Sequence, residues 1–314
     1  MQKLGLPFLI LLFSNSSLLA GDTLRFAPTM KKGDTRIATI VQTTISNEGG
    51  EETIDKEEPI TAKFEVTGID KKYIYIDVLY ENVVFKQALK TLEKLDLEGP
   101  VSEDLDLKYR IDKLSGESYL INWKETRKFV TGGIDQIVDA LDDDTKSFAG
   151  LIFQPIKSMF KDEETVQQYF KDNLMLFDDL YSQPFIENDT LHKIDSAENP
   201  MMPGKNVVVE YDLVAKNLNS ESNTVEIETF ADMDMSFIID MMKQMIQKFS
   251  STEEKADEKL AEANAIKIEM TITENYLYNY ETGWPIQITR TAFSDMNAPG
   301  KTAKSESKVS ITFR

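Results

Sequence analysis

"ITAKFEVTGIDKKYIYIDVLY", residues 60–80, decides the fold class. Ile60, Ala62, Phe64 and Val66 fall on one side of an alternating run, Asp70 to Lys72 make a turn, and Ile74, Ile76, Val78 and Tyr80 fall on one side of the next. Period-two alternation with one apolar face is the signature of an antiparallel hairpin packed on one side.

The same pattern recurs along the chain. In "LDLKYRIDKLSGESYLINW" the spacing places Leu105, Leu107, Tyr109 and Ile111 inward before a turn at Ser115 and Gly116, and Tyr119, Ile121 and Trp123 inward after it. "KNVVVEYDL" (Val207, Val209, Tyr211, Leu213), "TVEIETFADM", "AIKIEMTITENYLYNY", "WPIQITRTAF" and "SKVSITF" (Val309, Ile311, Phe313) repeat it. With "TLRFA" and "TRIATIVQTTIS" the total is about eleven strands. "NEGGEETIDKEEP", residues 47–59, reads as a long, mobile, acidic hairpin loop without the ligand order of a calcium loop.

Helical spacing interrupts the strands twice. Between residues 125 and 181, Ile134, Ile137, Val138 and Leu141 are followed by Val166, Tyr169, Phe170, Leu174 and Phe177, and Pro155 divides the region. The second region covers about 236–263. Residues 233–249 hold five of the thirteen methionines, and on a helix Met235, Ile238, Ile239, Met242, Met245, Ile246 and Phe249 form one stripe suited to docking on a sheet. Phe237 and Met241 widen that stripe beyond what a surface helix needs. Methionine adapts to irregular apolar neighbours, so the seven stripe residues are the candidate lining of an apolar ligand site, with a plug against a curved sheet as the alternative. "SSTEEKADEKLAEANA" continues as a solvated helix with capping-box spacing at Ser251 and Glu254.

Residues 1–20 read as a secretory signal peptide: Lys3, an apolar run from Leu4 to Phe13, then small and polar residues to Ala20. Asp22 stands near the point where a lipoprotein would carry its acylated cysteine, and the chain has none. The expectation is a periplasmic or secreted protein with no transmembrane segment and a single domain over residues 21–314. Two tandem halves splitting near 185–200 are the alternative, because Met30 and Gly33 recur as Met201 and Gly204, and Tyr109, Ile111, Ser115 and Gly116 recur in spacing as Tyr276, Tyr278, Thr282 and Gly283. Removing residues 1–20 takes away Lys3 and no acid, so 35 cations against 54 carboxylates become 34 against 54, a formal charge of −20. Such a surface repels phosphate backbones and anionic headgroups, which argues against nucleic-acid partners.

Catalytic constellations lack parts. There is no cysteine, and the single histidine, His192, has no second histidine with which to share a metal. No phosphate loop, nucleophile elbow or dinucleotide turn is present. The residues therefore nominate no catalytic group, no metal ligand and no cofactor. A carboxylate-dependent hydrolase is the third reading, since glycoside hydrolysis needs only two acids.

Lys32, Gly33 and Asp34 near the mature N-terminus, with Tyr278, Thr282 and Gly283 late in the chain, resemble a family of exported bacterial proteins of unknown function. The layout of antiparallel strands with helices over one side is also similar to the half-barrel of periplasmic lipoprotein-localisation carriers and related lipid-binding envelope proteins. That resemblance implies a mainly β (α+β) fold: a strongly curved antiparallel sheet or half-barrel with two helical insertions on its concave face. It further implies a non-catalytic, exported envelope protein binding a lipid or acyl chain between sheet and helices. The competing reading is a structural or protein-interaction module with a filled core. An outer-membrane barrel is disfavoured, since helical insertions of this size are not needed there.

Overall fold

The computed structural model describes residues 23–24, 29–81, 104–139, 146, 153, 157–158, 160–171, 185–198, 206–233, 235–236, 239–240, 242–243, 246, 253–298 and 301–314. Its elements, in chain order, are β1 (Thr23–Leu24), β2 (Thr35–Glu48), β3 (Glu51–Lys56), β4 (Ile60–Ile69), β5 (Tyr73–Glu81), β6 (Leu105–Asp112), β7 (Ser118–Leu120), α1 (Trp123–Asp139) and α2 (Glu163–Lys171). They continue with β8 (Phe185–Ile186), β9 (Thr190–Glu198), β10 (Asn206–Asn219), β11 (Thr224–Met233), α3 (Glu253–Asn264), β12 (Lys267–Asn279), β13 (Pro285–Ala298) and β14 (Lys301–Phe313).

The fold is mainly β, as the alternation predicts. Twelve strands make one antiparallel sheet in the order β7-β6-β5-β4-β2-β14-β13-β12-β11-β10-β9, with β3 paired to β2 beside β4, and β1 pairs separately with β8. Among the described residues β7 and β9 pair with no further strand, so the sheet is open. Its centre joins the first long strand to the last. Ile37 and Arg314 exchange both backbone hydrogen bonds, at 2.9 and 3.0 Å, between two meanders of near neighbours.

One face holds the core. Ala62, Phe64, Val66, Ile74, Ile76, Val78, Leu107, Tyr109, Ile111, Leu213, Ala215, Val225, Ile227, Tyr276, Tyr278, Ile288 and Ile311 are buried in one continuous cluster. The first helical region covers the β6–β7 end. Gln167 of α2 takes the Leu120 N–H on Oε1 and donates Nε2 to the Leu120 carbonyl, both at 2.7 Å, so an amide side chain finishes the edge of β7 as another strand would. The buried Tyr109 hydroxyl donates to the Phe170 carbonyl at 3.0 Å, and burial pushes that hydroxyl well above its usual range. α2 begins on a reciprocal cap: Thr165 N–H donates to Asp162 Oδ1 at 3.0 Å, and Asp162 N–H donates to Thr165 Oγ1 at 3.3 Å.

Two local expectations are corrected. The acidic stretch 47–59 is not a long loop: Glu48 pairs with Glu51 across a two-residue turn, and Glu51–Lys56 form β3. Gly49 and Gly50 have φ of 62° and 91°, the left-handed pair that a tight twisted hairpin demands. In the hairpin after β6, Leu120 faces the core in place of Tyr119 and Ile121, whereas Trp123, partly buried, does pack against the core. The four-residue turn 113–116 sets Tyr109 opposite Leu120, leaving Tyr119 on the outer face over Arg110 and Ile121 45% exposed, while Trp123 starts α1.

The matched turns at Gly116 and Gly283 are the same structure twice. Both glycines have φ 75°, and each N–H donates at 2.8 Å to the carbonyl four residues back, Asp112 or Asn279. The next residue, Lys113 or Tyr280, donates at 2.9 Å to the preceding hairpin's turn, at Lys72 or Asn223. The second match, at residues 201–204, lies outside the described residues, as do Pro155 and Ser251.

Candidate functional site

Strand register arranges the core face in rows running across the sheet. The row Ile227, Tyr276, Ile288, Ile311 and Ile40 is apolar, and its first four members are buried. One step along lies Thr229, Glu274, Arg290, Val309 and Gln42; then Ala231, Ile272, Ala292, Ser307 and Thr44; then Met233, Met270, Ser294, Ser305 and Ser46. Beyond these, Ile268 is opposite Met296, which is opposite Ala303. From the Met233 row outward, all of these residues are half-buried.

Past the row containing Arg290, Ala231 and Ile272 are still buried, and the half-buried rows beyond are apolar on β11 and β12 and largely hydroxyl-bearing on β13, β14 and β2. Glu274 and Arg290 are cross-strand partners, with Nε of Arg290 3.4 Å from Glu274 Oε1. Glu274 Oε2 accepts from Thr229 Oγ1 at 3.2 Å and from the Tyr276 hydroxyl. The side chains are 19% exposed for Glu274 and 42% for Arg290.

The outer face of the same strands is charged, with Glu210, Asp212, Glu226, Glu228, Asp232, Glu269, Asp295, Lys304, Glu306 and Lys308 at the alternate positions. Ion pairs such as Lys304 with Asp295, at 2.7 Å, lie there. Charges at this density are costly on a lipid-facing barrel exterior.

The methionine stretch is rooted at the open end of this tract. β11 ends at Met233, opposite Met270 of β12, so the whole 234–266 connection leaves and re-enters the sheet there. Met235 is 8% exposed, while Ile239, Met242 and Ile246 are helical and half-buried. Ile239, Met242 and Ile246 lie at i, i+3 and i+7, one face of a helix, and Met235 precedes it. Ile238, Met245 and Phe249, with Phe237 and Met241, lie outside the described residues. α3 returns the chain to β12, with Ala263 buried and Leu260 half-buried.

Met270, Met296, Glu274 and Arg290 escape a reading by periodicity, because register between strands is what sets Met270 opposite Met233, Met296 one row further out, and Glu274 opposite Arg290. A signal was available: "TITENY" and "QITRTAF" each place one charge on the inward parity of an otherwise apolar or hydroxyl-bearing run.

His192 sits on β9 opposite Asp212, with Nδ1 2.8 Å from Asp212 Oδ1, and both side chains are exposed. Asp77, on the outer face, has its carboxyl raised by burial while nearby Lys108 and the Thr67 hydroxyl at 3.2 Å oppose the shift. Among the described residues no three His, Asp or Glu side chains converge as metal ligands, and no helix is long and apolar enough to cross a membrane.

No family model and no curated protein matches the chain. Among solved structures, one describing lipid–protein interactions in lipovitellin aligns over 90% of this chain and 25% of its own, at 9% identity and a TM-score of 0.34. The chain thus spans a quarter of that protein's length. The loop L8 deletion mutant of OmpT, an outer membrane protein of Vibrio cholerae, aligns over 90% of this chain and 100% of its own, at 7% identity and a TM-score of 0.27. Ail, the attachment invasion locus protein of Yersinia pestis, gives the same coverages at 5% identity and a TM-score of 0.14. Similarity at these levels carries no inference about this chain's activity.

Proposed function

We propose that this chain is a non-catalytic, exported envelope protein, periplasmic or secreted, that holds an apolar ligand such as a lipid or acyl chain between the inner face of its sheet and the segment carrying Met235 and the helical Ile239, Met242 and Ile246. The observation that carries the reading is the change of character along the inner face. The rows nearest Trp284 are packed; past Glu274 and Arg290, Ala231 and Ile272 are still buried, and from the Met233 row outward the face is small or apolar and half-buried throughout. The connection with the densest methionine content in the chain is rooted at that end. Flexible thioether side chains fit a hydrocarbon of variable shape, and the charged outer face keeps the protein in water.

The test is native mass spectrometry of the purified mature protein, followed by organic extraction and uptake of a fluorescent fatty acid. A co-purifying lipid and saturable uptake are expected. An apo mass alone with no uptake overturns the reading in favour of a filled structural module. Met242→Lys with Met245→Lys should abolish uptake while the far-ultraviolet circular dichroism of the sheet persists; global unfolding would instead make these residues core.

A further inference from the structure

Arg290 occupies an unusual place for a cation. On the inner face it is flanked along its strand by Ile288 and Ala292 and across the sheet by Val309, and among the described residues its one ionic partner is Glu274. Glu274 is itself fixed, since Thr229 and Tyr276 both donate to Oε2 while Oε1 faces Arg290 Nε. The guanidinium is therefore held by its Nε edge. Among the described residues neither Nη atom donates a hydrogen bond. Arginine presents its donors as a rigid planar fork, and here the outer tines are unused and partly exposed.

The surroundings define what the fork can take. Between Arg36 and Glu48 at its two ends, the inner face of β2 and β11 to β14 carries this ion pair and no other charge. From the Glu274 position to Met270 is four residues of β12, about 13 Å at the rise of an extended strand. That track passes Ile272 and Ala231 before reaching Met233. It has a cation at its root, apolar walls and the methionine helix at its far end. An amphiphile with one anionic group at the end of a hydrocarbon chain matches this arrangement. A carboxylate suits it better than a phosphate: one bidentate fork satisfies a carboxylate, whereas a second negative charge would meet Glu274 with no further cation beside it.

We propose that Arg290 anchors the carboxylate of a single-chain fatty acid through its Nη atoms, with Glu274 as the residue that positions the guanidinium and the acyl chain lying along Ile272, Met270 and Met233. This rests on the apolar-ligand reading above and narrows it to one chemical class.

The experiment compares hexadecanoic acid with its methyl ester on delipidated mature protein, by displacement of a fluorescent fatty acid at about pH 8, where the acid is ionised. Wild type is expected to bind the acid about tenfold or more tighter than the ester. Arg290→Gln should remove that preference and leave ester affinity unchanged, with Arg290→Lys retaining part of it. Equal binding of acid and ester by wild type, or wild-type acid affinity in Arg290→Gln, overturns the anchor while ester binding leaves the apolar-ligand reading standing. If wild type binds neither probe, the apolar-ligand reading falls and this inference falls with it. Should Arg290→Gln not fold by circular dichroism, the wild-type comparison of acid with ester decides.

Discussion

Truncations at two depths on one strand separate packed core from ligand surface. Ile227 and Met233 share β11 and the inner face, three rows apart. Ile227 is 1% exposed in a row of buried apolar side chains, so Ile227→Ala should cost about 3 to 4 kcal/mol, the middle of the range for buried aliphatic truncations. Met233 is half-buried in the methionine row. A fully buried methionine gains about 1.5–3 kcal/mol by leaving water, and half of that puts Met233→Ala near 1 kcal/mol. Urea denaturation followed by far-ultraviolet circular dichroism resolves the two, and an unchanged slope with denaturant would show that both variants unfold from the same state. Equal destabilisation by the two substitutions would refute the reasoning, because it would mean that the outer rows are packed as solidly as the inner ones. Added fatty acid should restore less stability to Met233→Ala than to Ile227→Ala, since only the former lies on the ligand track.

Three further outcomes follow from the described geometry. Tyr109→Phe removes the buried hydrogen bond to the Phe170 carbonyl, so it should cost about 1–3 kcal/mol in the same urea titration, and a change within error would show that the hydroxyl does not hold α2 to the sheet. Gly50→Ala forces a left-handed φ on a residue with a Cβ and should cost about 1–2 kcal/mol by thermal melt, whereas Gly49→Asn should be tolerated; equal effects would argue against the two-residue turn. Asp70, Asp112 and Asp162 are each held below the usual carboxylate range, chiefly by backbone N–H donors from Tyr73, Leu114 and Thr165. Because their folded values lie below the unfolded 3.8, the stability they add is present above that value and lost as pH falls through the folded ones. The melting temperature should therefore drop on acidification below about pH 4, and the drop should shrink in Asp70→Asn with Asp112→Asn; an unchanged acid limb in that variant would refute it.

How much of this was legible in the sequence depended on whether the deciding constraint was local. The inward sets on β4, β5 and β6 follow directly from two-residue alternation, since a half-buried strand has no other way to satisfy its apolar side chains. Leu120 was missed because a four-residue turn shifts parity between β6 and β7, and the apolar run Tyr119–Ile121 offers no polar contrast to show the shift. β3 was missed because six carboxylates in 47–59 outweighed Gly49 and Gly50 in the reading, although the glycine pair alone fixes a two-residue hairpin. Helix at Ile239, Met242 and Ile246 was readable from spacing, although Met235 precedes it. The partners that give it a setting were not, because Met233 meets Met270, Met296 meets Ile268 and Glu274 meets Arg290 only through register between strands.

The claim on which the account rests is that hydrocarbon lies on the inner face between Arg290 and the methionine helix. The most direct measurement is photolabelling of the delipidated mature protein with a fatty acid carrying a diazirine near the end of its chain, with the adducts located by peptide mass spectrometry. The account predicts label on peptides containing Met233, Met242 and Met270, suppressed by excess hexadecanoic acid. Label confined to outer-face residues such as Phe230 and Phe293, or insensitive to competitor, would contradict it.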